Sequence, residues 1–208
     1  MSVPINDHKN YRYLALGDSY TIGESVTPAE RWPVQLVKAL RDEGITVADP
    51  EIIAQTGWTT SELLDALVKK NLTGPYQLVT LLIGVNNQYR GYSEENYQRD
   101  LKDLLTQAVT LAGGDPGKVV VVTIPDWGVM PYAEGRNRLK IRQEIDLFNS
   151  ILVDQAADAG VVVVDVTRIS READQRTDLV ALDGLHPSAV QYAEWVKIIL
   201  PEARSIFD

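Results

Sequence analysis

At 208 residues, 45% hydrophobic and 24% charged, the chain can build one complete core but is short for two, and its balance excludes disordered and membrane-embedded classes. A net charge of −9 and a pI near 4.8 argue against nucleic acid as a partner, because phosphates are bound by Lys and Arg. With no cysteine there is no disulfide framework and no thiolate metal site.

Residues 1–10, which include His8, are polar and hold no apolar stretch of the kind a secretory signal needs. A cytoplasmic protein is the expectation, with a leader already removed as the alternative. No apolar run approaches the length of a membrane span; the longest, 119–122 and 161–164, are strand-sized.

A first strand is expected from Tyr13 to Leu16, ending at Gly17 and followed by Asp18, Ser19 and Tyr20. Residues 31–43 place Val34, Val37 and Leu40 on one helical stripe and stop at Gly44, a favoured residue just past a helix end. A strand over 52–54, with Val47 as an alternative start, leads to Gln55, Thr56, Gly57 and Trp58. Residues 59–70 open with Thr59 and Glu62 at capping-box spacing and continue with Leu63, Leu64 and Leu67. A third strand over 78–83 leads to Gly84, Val85, Asn86 and Asn87. The helix over 94–112 carries Tyr97, Leu101, Leu104, Leu105 and Ala108 and ends at Gly113 and Gly114. A strand over 119–124 is followed by Pro125, Asp126 and Trp127; a helix over 138–159 carries Ile141, Ile145, Phe148 and Leu152 and ends at Gly160. After a strand over 161–166, the last helix is expected to start at Pro187, with Tyr192, Val196 and Ile199 on its stripe.

The last three strands read as buried on both faces, since Val, Ile and Leu run without alternation. Strands alternating with helices of this length imply parallel pairing through right-handed crossovers. The expected fold is α/β: one three-layer α/β/α domain over 1–208 with about five parallel strands. The irregular stretches 125–137 and 167–185 are long for a compact domain, which marks them as functional loops.

Ligands of open parallel sheets bind at the carboxyl ends of the strands, so the residues after each strand share one edge. A serine hydroxyl there needs a base to become a nucleophile. The chain has two histidines, and only His186 lies at that edge. Asp183, three residues upstream with Gly184 between, is spaced to fold back onto the imidazole and fix its tautomer. Ser19 is then the nucleophile. The Ser19 N–H, the Gly57 N–H and the Asn86 amide are the candidate donors to an oxyanion. Trp58, Tyr89, Trp127, Met130 and Tyr132 follow strand ends and read either as walls of a substrate pocket or as core anchors.

Each residue also has a plainer reading. Ser19 alone serves as well as a helix cap. Asp18 reads as a turn-binding residue, and Gly57, Asn86 and Asn87 as turn residues. Asp126 and Asp165 also follow strands, but their spacing with Asp18 and His186 matches no metal-ligand pattern. The charged run 136–142 reads as a solvated helix face.

Gly17-Asp18-Ser19, Gly57, Gly84-Val85-Asn86 and Asp183-x-x-His186, taken in this order, resemble the four blocks of the SGNH hydrolases, the GDSL-type lipases and esterases. The resemblance spans nearly the whole chain. It implies a flavodoxin-like fold, a Ser19-His186-Asp183 triad, an oxyanion hole of Ser19, Gly57 and Asn86, and no metal or organic cofactor. The sequence departs by carrying Tyr20 where the family name expects Leu, which bears on the substrate rather than the reaction.

The expected activity is hydrolysis of small-molecule carboxylic esters of short or medium acyl chain, with carbohydrate O-acetyl groups included. A lysophospholipase or thioesterase on the same triad is the alternative. A non-catalytic flavodoxin-type binding domain is disfavoured, because Asp18 stands where a phosphate would bind. A metal-dependent phosphoesterase is the third reading. Oligomeric state is not legible.

Overall fold

The computed structural model describes residues 10–208, so the expectations that concern the N-terminal segment with His8 fall outside the described residues. Five strands form the sheet: β1 Tyr13–Gly17, β2 Glu51–Ala54, β3 Leu78–Leu82, β4 Val119–Val122 and β5 Val162–Val164. They pair only in parallel, in the order β2-β1-β3-β4-β5. Every residue of β1, β3 and β4 is buried, as expected for strands covered on both faces. β5 departs from that expectation: as an edge strand it leaves Val162 36% exposed.

Eight α-helices lie between and after the described strands: α1 Ser19–Ile22, α2 Trp32–Asp42, α3 Thr60–Lys70, α4 Val85–Tyr89, α5 Glu94–Leu111, α6 Arg138–Asp158, and, beyond β5, α7 Thr167–Arg171 and α8 Ala189–Ser205. α2 packs on α8, while α5 packs on α3 and α6, which gives one helical layer on each side of the sheet. The starts of the long helices follow from their caps. Thr59 and Glu62 form the reciprocal capping box, and Ser93 and Asn137 accept from Asn96 N and Lys140 N. α8 starts two residues later than expected. Ser188 supplies the capping oxygen to Gln191 N, and Pro187 instead sits in an antiparallel bridge with Val180. Val47 likewise makes an isolated bridge, with Tyr11, and does not begin β2.

The short helices α1, α4 and α7 lie in stretches that read as loops, because one turn holds too few residues to display a period. Two of them matter most here. α1 follows β1 and α4 follows β3, and Gly17 is in register with Leu82, so both helices start at the same level of the sheet. The strand order reverses between β1 and β3, and the crevice of an open α/β sheet lies at such a switch point. Among the described residues no helix is long and apolar enough to cross a membrane.

Candidate active site

The turn after β1 is tight. A Cβ at Gly17 would collide with Thr21 Oγ1 and the Leu82 carbonyl oxygen, so only glycine lets α1 start this close to β3. The cap of α1 is Asp18, whose Oδ1 accepts from Tyr20 N at 3.0 Å. The capping role that Ser19 alone could have filled is therefore taken by its neighbour. Asp18 is fully buried and its Oδ2 has no partner; burial pushes the carboxyl up to about 7. Ser19 lines a cavity, and among the described residues neither its hydroxyl nor its backbone N–H makes a hydrogen bond.

His186 lines the same cavity, buried to 7% exposure. Its Nδ1 is 2.5 Å from Asp183 Oδ2. Asp183 Oδ1 accepts from Leu185 N at 2.9 Å and His186 N at 3.0 Å, so the four-residue turn binds its own carboxylate. Oδ2 takes a further bond from Ser25 Oγ at 2.7 Å. Partial burial works to raise the Asp183 carboxyl, but the bonds from His186, Ser25 and Leu185 outweigh it and hold the group well below the usual carboxylate range. The Tyr20 ring packs edge-on against the imidazole, with centroids 5.7 Å apart. Ser19 and His186 line this cavity together without a direct hydrogen bond between them.

The opposite wall holds the remaining donors. Gly57 sits at φ +86°, a left-handed conformation that favours glycine, and its N–H has no acceptor among the described residues. Its carbonyl is fixed by Arg90 Nη2 at 2.5 Å, and Arg90 Nη1 is held in turn by Glu62 Oε2 at 3.3 Å. Asn86 Nδ2 donates one N–H to the Trp58 carbonyl at 2.9 Å, which fixes the amide and leaves its second N–H unpaired. Asn87 is the contrast: it is buried and bonds both Thr60 N and Thr60 Oγ1, a purely internal role.

The cavity measures about 150 Å³ and is walled by Tyr20, Thr56, Val85, Tyr89, Trp127, Tyr132 and Leu185 besides Ser19, Gly57, Asn86 and His186. Of the five expected pocket residues, Tyr89, Trp127 and Tyr132 line it. Met130 is fully buried in the core, and Trp58 packs against the core while its carbonyl orients Asn86. Trp127 Nε1 is anchored by Gln88 Oε1 at 2.8 Å, and Gln88 by Glu144 at 2.7 Å. The Tyr89 and Tyr132 hydroxyls are 3.1 Å apart, and the Arg136 guanidinium lies 5.1–5.4 Å from the rings of Tyr89, Trp127 and Tyr132. Arg136, exposed and just before α6, thus covers three of the wall rings from outside, while Arg138, Lys140 and Arg142 of the same run form the expected solvated helix face.

Asp126 pairs with Arg171, and Asp165 accepts from Thr123 Oγ1 and Thr167 N. Among the described residues no cluster of His, Cys, Asp and Glu is arranged to hold a metal ion. Ser25, Arg90 and Thr56 touch the site without having been singled out by motif reasoning. Ser25 meets Asp183 across 158 residues of sequence, a separation that no local spacing signals.

The sequence matches the model of the GDSL-like lipase/acylhydrolase family over residues 15–193. Several solved structures share the fold. The crystal structure of TesA aligns with a TM-score of 0.71 at 19% identity, covering 94% of this chain and 99% of that one. Axe2, an acetylxylan esterase from Geobacillus stearothermophilus, aligns with a TM-score of 0.70 at 19% identity over 93% of this chain and 94% of that one. The psychrotrophic esterase EstA from Pseudoalteromonas sp. aligns with a TM-score of 0.70 at 17% identity over 95% and 99%. No curated protein matches the sequence.

Proposed function

The chain belongs to the GDSL-like lipase/acylhydrolase family and is an ester hydrolase, and from that premise we propose that it works through an acyl-enzyme on Ser19, with 1–208 as one hydrolase domain. The observation that carries this reading is the 2.5 Å contact of Asp183 with His186 Nδ1, in a cavity that Ser19 also lines. With Nδ1 committed to the carboxylate, Nε2 is the ring atom left to take the Ser19 proton. Ser19 Oγ attacks the acyl carbon of the ester. The oxygen of the tetrahedral intermediate is met by the Ser19 and Gly57 N–H groups and the second N–H of Asn86, all unpaired among the described residues. The imidazolium protonates the leaving alkoxide, and the same ring then activates water to release the acid.

The substrate is a small-molecule ester with a short acyl chain, since about 150 Å³ leaves little room beside the nucleophile. On the alcohol side, Tyr89, Trp127 and Tyr132 form an aromatic wall that suits the C–H face of a sugar. That wall favours O-acetylated carbohydrate over long-chain lysophospholipids, and Axe2 is an acetylxylan esterase on the same fold.

An acyl-length series of p-nitrophenyl esters, run beside acetylated sugars, tests both parts. Acetyl and butyryl esters should turn over fastest, and Ser19→Ala should lower kcat by about 10⁴–10⁶ with the fold intact. Turnover unchanged in Ser19→Ala would remove the nucleophile assignment; a preference for long chains would remove the substrate reading.

A further inference from the structure

Ser25 stands in a backbone conformation that its side chain does not favour. Its φ is +65°, and Ser25 and Asn71 are the only described non-glycine residues with positive φ. Such conformations are strained for a non-glycine residue and persist where surrounding structure demands them. The demand here is visible. After the single turn of α1, Gly23 N and Glu24 N bond back to the Ser19 carbonyl, and the chain then presents two side chains to the site. Glu24 Oε2 receives the hydroxyl of Thr56, next to Gly57 on the oxyanion wall. Ser25 Oγ donates to Asp183 Oδ2 at 2.7 Å, the same oxygen that faces His186 Nδ1.

We infer that Ser25 is a positioning residue for the triad: its hydroxyl fixes Asp183 Oδ2 so that the carboxylate holds the His186 ring in its working orientation. The inference rests on the reading of Ser19, His186 and Asp183 given above. The Asp183 side chain is 31% exposed, so water could reach Oδ2 on its open side. A water can supply the hydrogen bond but not a fixed direction. Ser25 supplies both, and its loop is tied to the nucleophile six residues earlier. The chain segment that carries Ser19 therefore also clamps the far end of the triad and, through Glu24, the loop that carries Gly57.

Two variants separate the hydroxyl from the backbone. Ser25→Ala keeps the Cβ and the unfavourable φ but removes the donor, while Ser25→Gly removes the donor and adopts φ +65° freely. The expected result is the same for both: kcat on p-nitrophenyl acetate lower by about tenfold, just under the range for losing a hydrogen bond to a charged group because Asp183 is partly exposed, with KM unchanged. The acid limb of the kcat/KM profile should move to higher pH, because Oδ2 then turns its whole charge toward the Nδ1 proton. The ionisable groups facing the ring are Asp183 and the Tyr20 phenol, and burial first, then the charges of Asp18, Asp126 and Asp183, push the phenol up, so it stays protonated throughout. The Nδ1–H proton resonance of His186 should shift in both variants, and His8 is the only other histidine to assign.

Wild-type kcat, pH profile and Nδ1–H resonance in both variants would overturn the inference. So would a loss confined to Ser25→Ala, which would trace the effect to backbone strain. Ester turnover that survives Ser19→Ala would instead overturn the triad reading itself, whatever Ser25 does.

Discussion

Asp126 Oδ2 lies 2.9 Å from Arg171 Nε, which ties the loop after β4 to the helix after β5. Asp126 is fully buried, its other oxygen accepts Gly128 N, and its own N–H is held by Ser170 Oγ. The next residue, Trp127, is a wall of the cavity that Ser19 and His186 line. A buried ion pair is thus placed where it sets the position of a pocket residue.

Arg171→Ala should therefore act on stability and on substrate binding together. It leaves a buried carboxylate without its cation, a change that typically costs about 3–5 kcal/mol. The Arg171 side chain is 23% exposed, which places the loss at the lower end. In a chain of this size that corresponds to a melting temperature lower by about 6–12 °C. KM should rise more than kcat falls, because the wall moves while the triad stays. Adding Asp126→Asn should restore part of the melting temperature; no recovery in the double variant would show that the pair does not carry the loss.

The Asp183 carboxyl, held below the usual range by its four hydrogen bonds, gives a different signature. Its folded-state acidity is greater than its unfolded one, so its contribution to stability is complete above the unfolded value and disappears as pH falls through the folded value. The melting temperatures of wild type and Asp183→Asn should draw together in strong acid, as pH falls below the unfolded value toward the folded one. Between pH 5 and 9 the carboxylate stays ionised, so the acid-side loss of activity follows protonation of His186. At the pH optimum, Asp183→Asn should lower kcat by up to about 10⁴ through the wrong imidazole tautomer. A melting-temperature gap that persists undiminished in strong acid would contradict the sign.

Adjacent asparagines allow a cleaner test of the oxyanion wall. Asn86→Ala removes the donor whose second N–H is unpaired, and kcat should fall by about 10²–10³ with KM nearly unchanged. Asn87→Ala removes two internal bonds to Thr60 and should cost about 1–3 kcal/mol of stability while the folded fraction keeps its kcat. Steady-state kinetics and thermal melts on both variants check the pair; equal kinetic losses would mean that the site needs the whole turn rather than one amide.

The layout of the molecule was largely legible because it rests on short-range signals. Apolar runs marked all five strands, and the Thr59–Glu62 box and the terminal glycines marked the long helices. The rule that strand ends converge then brought Ser19, Gly57, Asn86 and His186 to one cavity. What stayed hidden depends on contacts between residues far apart in the chain. Ser25 with Asp183, Asp126 with Arg171, and Arg90 with Gly57 have no periodicity and no motif. The placement of Met130 in the core and of Tyr132 at the cavity turns on the path of the loop over 125–137, which tertiary contacts decide. The start of α8 differs from the one Pro187 suggests as a favoured first helical residue, because the hydroxyl of Ser188 offers a cap that a proline cannot.

Asp18 closes the set, since it caps the helix of the proposed nucleophile Ser19 while carrying a carboxyl oxygen without a partner among the described residues. Burial raises this acid from 3.8 to about 7, so the folded protein holds the proton more tightly than the unfolded chain does. Stability from this group is complete below the unfolded value and is lost as pH rises through about 7, the reverse of Asp183. An asparagine keeps the Oδ1 that accepts Tyr20 N and stays neutral at every pH. Asp18→Asn should match wild type near pH 4 and become progressively more stable than wild type up to about pH 7, after which the gap levels off. A shift of about three pH units sets a ceiling of roughly 4 kcal/mol on that gap, and structural relaxation will lower it. Chemical denaturation at pH 4, 6 and 8 measures it directly. A gap that does not change over this range would mean that the ionised carboxyl finds a partner for Oδ2.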